Sequence, residues 1–228
     1  MIIGDLKDMD EILASIDDAE KVLVLGCRGC VTICQVGGEK EVALLASQLR
    51  IGDKAKGKKR QIEELTIERQ CDAEFIEPIL GKVKDVDKVL SLACGIGVQY
   101  VSDLGLPTPV VPGINTTFLG VNLDTGLWKE RCQACGDCVL EITGGICPIA
   151  RCSKSLLNGP CGGSADGKCE IDPDVECAWQ LIHDRLKALG KLENIERVIP
   201  ARSWASSRDG GPRTRIREDL RSISREEG

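Results

Sequence analysis

Cys132, Cys135 and Cys138 form a Cys-x-x-Cys-x-x-Cys run, and eight residues intervene before Cys147-Pro148. Three thiolates at this spacing can grip three corners of a cubane within one tight turn, leaving the fourth iron for a more distant cysteine. Zinc sites more often use separated Cys-x-x-Cys pairs, so the run points to a 4Fe-4S cluster ahead of zinc. The gap before Cys147 is longer than in the bacterial ferredoxin pattern, which leaves Cys147, Cys152 and Cys177 as rival fourth ligands.

Cys152, Cys161, Cys169 and Cys177 supply four further thiols, separated by seven or eight residues. Eight cysteines between 132 and 177 make two four-thiolate sites with none left over, whereas one site would strand four. Gly159, Gly162, Gly163 and Gly167 permit the tight turns and N–H groups that surround metal-bound sulfur. Zinc and 4Fe-4S suit this second set equally, and small buried hydrophobes are the alternative.

The remaining five, Cys27, Cys30, Cys34, Cys71 and Cys94, are scattered in sequence. Apolar runs at Val22–Leu25, Leu65–Glu68 and Val89–Ala93 read as strands, so Cys27, Cys71 and Cys94 each follow a strand and fall at carboxyl ends. In an open parallel sheet those ends form the ligand-binding edge. With strands about 4.8 Å apart, the three thiolates can converge, and Cys30 or Cys34 can complete the site. Structural cysteines and a redox-active thiol pair are the competing readings. In all, one to three 4Fe-4S clusters, with zinc as an alternative metal, are expected.

Thirteen cysteines, an odd count, with no signal peptide, argue for reduced thiols in the cytoplasm rather than a disulfide framework. His183 is the one histidine and lies in a helical pattern, so it reads as structural. A net charge of −6 and the lack of a basic stripe interleaved with aromatics exclude nucleic acid as a leading partner, and Lys54 to Arg60 reads as a solvated loop. No apolar stretch approaches the ~20 residues of a membrane span. No acid/base dyad or Ser/His arrangement is visible, so electron carriage fits better than bond-making chemistry.

The elements that position these cysteines alternate. Asp8–Ile16 is an amphipathic segment, and residues 39–49 read as a helix with Val42, Leu45, Ala46 and Leu49 on one face. A short helix follows near 72–80, another passes through Val98, Val101 and Leu104, and Val110-Val111 is a fourth strand. The fold class is therefore α/β, with a mainly parallel, Rossmann-like sheet covered by helices over residues 1–125. Residues 126–177 form an irregular Cys-rich iron–sulfur or zinc domain that needs metal to fold. Residues 178–228 hold a helix, begun near Pro173-Asp174 and ended near Gly190, and an extended partner-binding arm. Gly37-Gly38 and Gly95-Ile96-Gly97 could cradle a phosphate, but neither completes a dinucleotide fingerprint. Asn115-Thr116-Thr117 reads as a capped turn. The arm from Ala201 carries seven Arg and five Asp or Glu, with Trp204, Ile216, Leu220 and Ile223 as its sizeable apolar residues. Trp204 and some of Arg213, Arg215 and Arg217 are expected to dock on a partner.

The stretch Glu130 to Trp179, with its NGPCGG and GKCE segments, resembles the C-terminal domain associated with methylenetetrahydrofolate reductases. KVLVLGCRGC, GGEKE, ERQCD and SLACGIGVQ extend the resemblance to that family's small accessory subunits over nearly the whole chain. The resemblance implies an iron–sulfur subunit of one-carbon metabolism in the reductive acetyl-CoA pathway, itself without the folate site. Its partner would be a MetF-like catalytic flavoprotein carrying the flavin, and its electron source ferredoxin or an electron-bifurcating module. A structural zinc subunit, or a thiol- or corrinoid-linked methyl-transfer enzyme, is the alternative.

Overall fold

The computed structural model describes residues 1–221. The chain divides into two compact units, Met1–Lys129 and Glu130–Gly228.

The first unit runs β1 (Ile2–Leu6), α1 (Met9–Ser15), β2 (Lys21–Cys27), α2 (Cys30–Ile33), α3 (Glu39–Ala55), β3 (Gln61–Ile67) and α4 (Ala73–Ile76). It continues with α5 (Leu80–Lys84), β4 (Lys88–Ser91), α6 (Gly95–Asp103), β5 (Val110–Pro112), β6 (Ile114–Asp124) and β7 (Leu127–Cys132). Four strands form a parallel sheet in the order β3-β2-β4-β5, with Leu25 of β2 level with Leu65 and Ser91. Strand β2 is apolar along its length because both of its faces are covered. Val22 and Val24 join Ile12, Ile16, Val42, Leu45 and Leu49 on the α1/α3 side. Leu23 and Leu25 face the other way, into Ile76, Val83 and Val101. The expected parallel α/β sheet is thus present.

Several features differ from the sequence reading. Helix α3 continues past Leu49 to Ala55 because Asp53 takes the next place on the buried face, where it pairs with Arg60 at 3.6 Å. Arg60 is consequently not part of a solvated loop: its side chain is only 3% exposed, and its Nε donates to the Ala19 carbonyl at 3.0 Å.

A second sheet, antiparallel and ordered β1-β6-β7, also went unread in the sequence. Ile2 to Leu6 pairs with Leu119 to Ile114, and Asn115-Thr116-Thr117 lies within β6 rather than in a turn. Most residues of β6 are exposed or half-buried; Leu119, Val121 and Leu123 do alternate with Gly120, Asn122 and Asp124, a strand signal that the sequence reading passed over.

The second unit contains α7 (Pro148–Arg151), α8 (Ala178–Ala188) and α9 (Glu218–Arg221). Helix α8 begins at Ala178 rather than near Pro173, because the preceding residues fold back on themselves. The Cys169 N–H donates to the Val175 carbonyl at 2.9 Å, and the Cys177 N–H to the Gly167 carbonyl at 2.8 Å. Trp179, Ile182 and Leu186 of α8 gather Cys177, Cys152, Ile146 and Ile195 into a small core, so this region buries more hydrocarbon than its composition suggested. Ile223, one of the apolar residues of the arm, lies outside the described residues. Among the described residues no helix is long and apolar enough to cross a membrane.

Candidate thiolate metal centres

At the carboxyl edge of the parallel sheet, Cys27 closes β2, Cys71 follows β3 and Cys94 caps α6 just after β4. Burial raises the Cys71 thiol above its ordinary pKa, and the neighbouring Cys27 and Cys94 raise it further. Cys71 is thus near enough to Cys27 and to Cys94 to feel a charge on either, although among the described residues no three ligand side chains gather there ready to hold a metal ion. Cys30 and Cys34 sit at the start and end of α2. Cys34 is buried, with Sγ 3.3 Å from the Ile2 carbonyl of β1, and burial is the main cause of its raised pKa.

Gln70 holds this edge together. It is fully buried, and its Nε2 donates to the carbonyls of Leu25 and Gly26 at 2.8 and 3.1 Å. The Ser91 hydroxyl donates to its Oε1 at 2.7 Å. One amide thus fastens the loop bearing Cys71 to the ends of β2 and β4. The ERQCD segment contained this residue, but a polar side chain beside a cysteine carries no sequence signal that it will be buried.

The two glycine loops are committed elsewhere. The Gly38 N–H donates to the Glu41 carboxylate at 3.0 Å, and the Gly95 N–H to Thr116 Oγ1 at 2.8 Å. Gly37 is required for packing, since a Cβ there would stand 2.0 Å from the Leu92 carbonyl oxygen. These contacts occupy N–H groups that a phosphate would need.

In the second unit, Cys132 ends β7 and its sulfur accepts the Ala134 N–H at 3.3 Å. Cys135 Sγ lies 3.5 Å from the Asp137 carbonyl, and Cys138 is exposed. Cys147 caps α7, its sulfur accepting the Ala150 N–H at 3.4 Å.

The arm returns onto this loop. Ser206 donates to the Cys135 carbonyl at 3.0 Å, while Arg213 donates to the carbonyls of Ala134 and Ser206 at 2.8 and 2.7 Å. Gly136, at φ +88°, lets the two segments touch: a Cβ there would meet the Ser206 carbonyl oxygen at 2.4 Å. Arg202 Nη2 reaches Cys135 Sγ at 3.8 Å and Asp137 at 3.5 Å, with the guanidinium 4.9 Å from the Trp204 ring centroid. The Arg202 side chain is 6% exposed, yet its Nε and Nη1 have no hydrogen-bond partner among the described residues. The sequence reading took the arm as extended and gave Arg202 no role.

Cys152, Cys161, Cys169 and Cys177 all line one tight cavity of about 20 Å³, together with Arg151, Lys154 and Glu170. The Ser153 hydroxyl, followed by the Ile171 N–H, holds the Cys169 thiol below its ordinary pKa. His183 is paired with Asp184, Nδ1 to Oδ1 at 2.9 Å.

The expected ligand sets are neighbours rather than assembled cages. Among the described residues, no three Cys, His, Asp or Glu side chains stand together ready to hold a metal ion, so a preformed Cys-rich metal domain is not what the fold presents. The sulfurs of Cys132, Cys135, Cys147 and Cys169 are each engaged with a nearby backbone group or hydroxyl. The surroundings nevertheless fit a thiolate-held anionic group. N–H groups point at the sulfurs of Cys132 and Cys147, and a buried guanidinium with two unpartnered nitrogens stands beside Cys135.

Residues 111–205 match the family described as methylene-tetrahydrofolate reductase C terminal, which bears out the resemblance read from Glu130 to Trp179. No curated protein and no solved structure matches the chain.

Proposed function

We propose, on the premise that residues 111–205 form a methylene-tetrahydrofolate reductase C-terminal-like domain, that this chain is the iron–sulfur subunit of such a reductase. It passes electrons between an external donor and the flavin of a catalytic partner, to which the folate and hydride chemistry belongs. The observation that carries this reading is the Cys132-x-x-Cys135-x-x-Cys138 spacing inside the matched segment, with the Ala134 N–H on the Cys132 sulfur and a buried guanidinium beside that of Cys135.

A 4Fe-4S cluster, when bound, supplies one-electron transfer at a potential set by its surroundings. Cys132, Cys135 and Cys138 would hold it, with the fourth thiolate from Cys147, Cys152 or Cys177. The Ala134 and Ala150 N–H groups already donate to the Cys132 and Cys147 sulfurs and would do so to a ligating sulfur. Cys152, Cys161, Cys169 and Cys177 suit a second four-thiolate site, for zinc or a further cluster, because they share one cavity. Cys27, Cys71 and Cys94 are the third group.

Anaerobic iron and acid-labile sulfide analysis of the purified chain, with EPR before and after dithionite, tests the proposal. Iron with matching sulfide, and a visible absorbance band that dithionite bleaches, is the expected result. Zinc alone would overturn it in favour of a structural subunit.

A further inference from the structure

We propose that Arg202 is an anion clamp for the Cys132–Cys138 loop, donating from Nε and Nη1 to the sulfurs of the thiolate-held group and thereby retaining it and raising its reduction potential. The inference rests on the iron–sulfur reading above and assigns a positioning residue to that site.

A guanidinium stays protonated at any pH a protein meets, so Arg202 carries its charge wherever it is placed. Burying such a charge is costly unless an anion and hydrogen-bond acceptors compensate it. Asp137 compensates only in part: its carboxylate is 64% exposed and meets Nη2 alone, at 3.5 Å. Trp204 stacks on the guanidinium but offers no acceptor to Nε or Nη1. Two donors on a side chain only 6% exposed therefore have no acceptor among the described residues, while the same guanidinium approaches Cys135 Sγ at 3.8 Å.

The position is held by the backbone rather than reached by chance. Ser206 and Arg213 bind the carbonyls of Cys135 and Ala134, which fixes the arm against the loop on either side of Gly136. Arg202 thus arrives on a seated segment. Sulfur atoms of an anionic cluster are the acceptors this arrangement lacks, since hydrogen bonds to sulfur and net charge are the levers a protein has on cluster potential. Reduction adds negative charge, so a fixed cation nearby favours the reduced form and raises the potential.

The test uses the full chain, loaded anaerobically with ferrous iron and sulfide, as wild type and as Arg202→Gln, Arg202→Lys and Arg215→Gln. Potential-poised EPR follows the signal that Cys135→Ser abolishes, and iron release to a chelator is timed in parallel. Arg202→Gln should move that signal to a more negative potential and release iron faster. Arg202→Lys, which keeps the charge but not the fork, should fall between. Arg215→Gln removes an equal charge from an exposed position of the same arm and should leave the potential where it was. An unchanged potential in Arg202→Gln, or an equal shift in Arg215→Gln, would overturn the clamp. Should Arg202→Gln lose the cluster outright, the Arg202→Lys potential and release rate decide, and wild-type values there sink the inference. A wild-type chain without Cys135-dependent iron would instead sink the iron–sulfur reading itself.

Discussion

Ser91 donates its hydroxyl hydrogen to Oε1 of Gln70 at 2.7 Å, and neither residue has any exposure to solvent. The other end of the same amide donates to Leu25 and Gly26, so one polar side chain laces three segments at the edge where Cys27, Cys71 and Cys94 meet. Replacing Gln70 by Leu strands the Ser91 hydroxyl and withdraws a donor from the Gly26 carbonyl. Each buried group left unsatisfied costs about 1–3 kcal/mol. Urea denaturation should register a loss in that range, and Ser91→Ala a smaller one. Equal stability of Gln70→Leu and wild type would refute this account of the edge.

The buried pair between Asp53 and Arg60 predicts a second asymmetry. Both side chains are at least 95% buried, and Asp53 Oδ2 and Arg60 Nη1 have no hydrogen-bond partner among the described residues. Arg60→Met leaves the carboxylate unpaired and should cost about 3 kcal/mol or more. Removing both charges, as in Asp53→Leu with Arg60→Met, should recover much of that loss. A double variant less stable than Arg60→Met would contradict the argument.

The three cysteine sets should separate by metal content. Cys135→Ser should lower bound iron by about four atoms per chain, one cubane, while leaving other centres in place. Cys71→Ala combined with Cys94→Ala should remove a different centre without touching the Cys135-dependent signal. Constant metal content in the double variant would eliminate the sheet-edge site.

Thiol reactivity in the metal-free chain should follow the local electrostatics. Hydrogen bonds led by the Ser153 hydroxyl lower the Cys169 pKa, whereas burial raises those of Cys34 and Cys71. A lower pKa means more thiolate at a given pH, and thiolate is the nucleophile. As pH is raised from neutrality, iodoacetamide should therefore label Cys169 at lower pH than Cys71 or Cys34, read by peptide mass spectrometry. Labelling of Cys71 ahead of Cys169 would reverse the assignment.

Ending the chain at Pro200 removes Arg202, Ser206 and Arg213 from the 134–136 loop. Alkylation of Cys135 should accelerate, while the helix α8 core, built from Trp179, Ile182 and Leu186, should keep its stability. An unaltered Cys135 labelling rate would show that the arm does not shield the loop. The same truncation also tests whether the arm binds the catalytic partner, by gel filtration of the mixed proteins.

The sequence by itself determined the parallel α/β sheet, because β2 must be apolar on both faces and Val22 to Leu25 declares that directly. It also determined that Cys27, Cys71 and Cys94 each fall at or just past the end of a strand of that sheet, because the apolar runs set the strand ends, and that Cys132, Cys135 and Cys138 share one local spacing. What it left undecided rests on contacts between residues far apart in the chain. Strand β6 pairs with β1 across more than a hundred residues, a partner and register that its alternating Leu119, Val121 and Leu123 do not specify. Asp53 and Gln70 look like surface residues until their distant partners, Arg60, Ser91 and the β2 carbonyls, are in place. Arg202 lies 67 residues from Cys135, in an arm whose composition reads as unstructured, and only the fold places that charge beside the thiol loop. Periodicity and spacing report local order, while the pairing of a buried polar group depends on the geometry that the whole chain encloses.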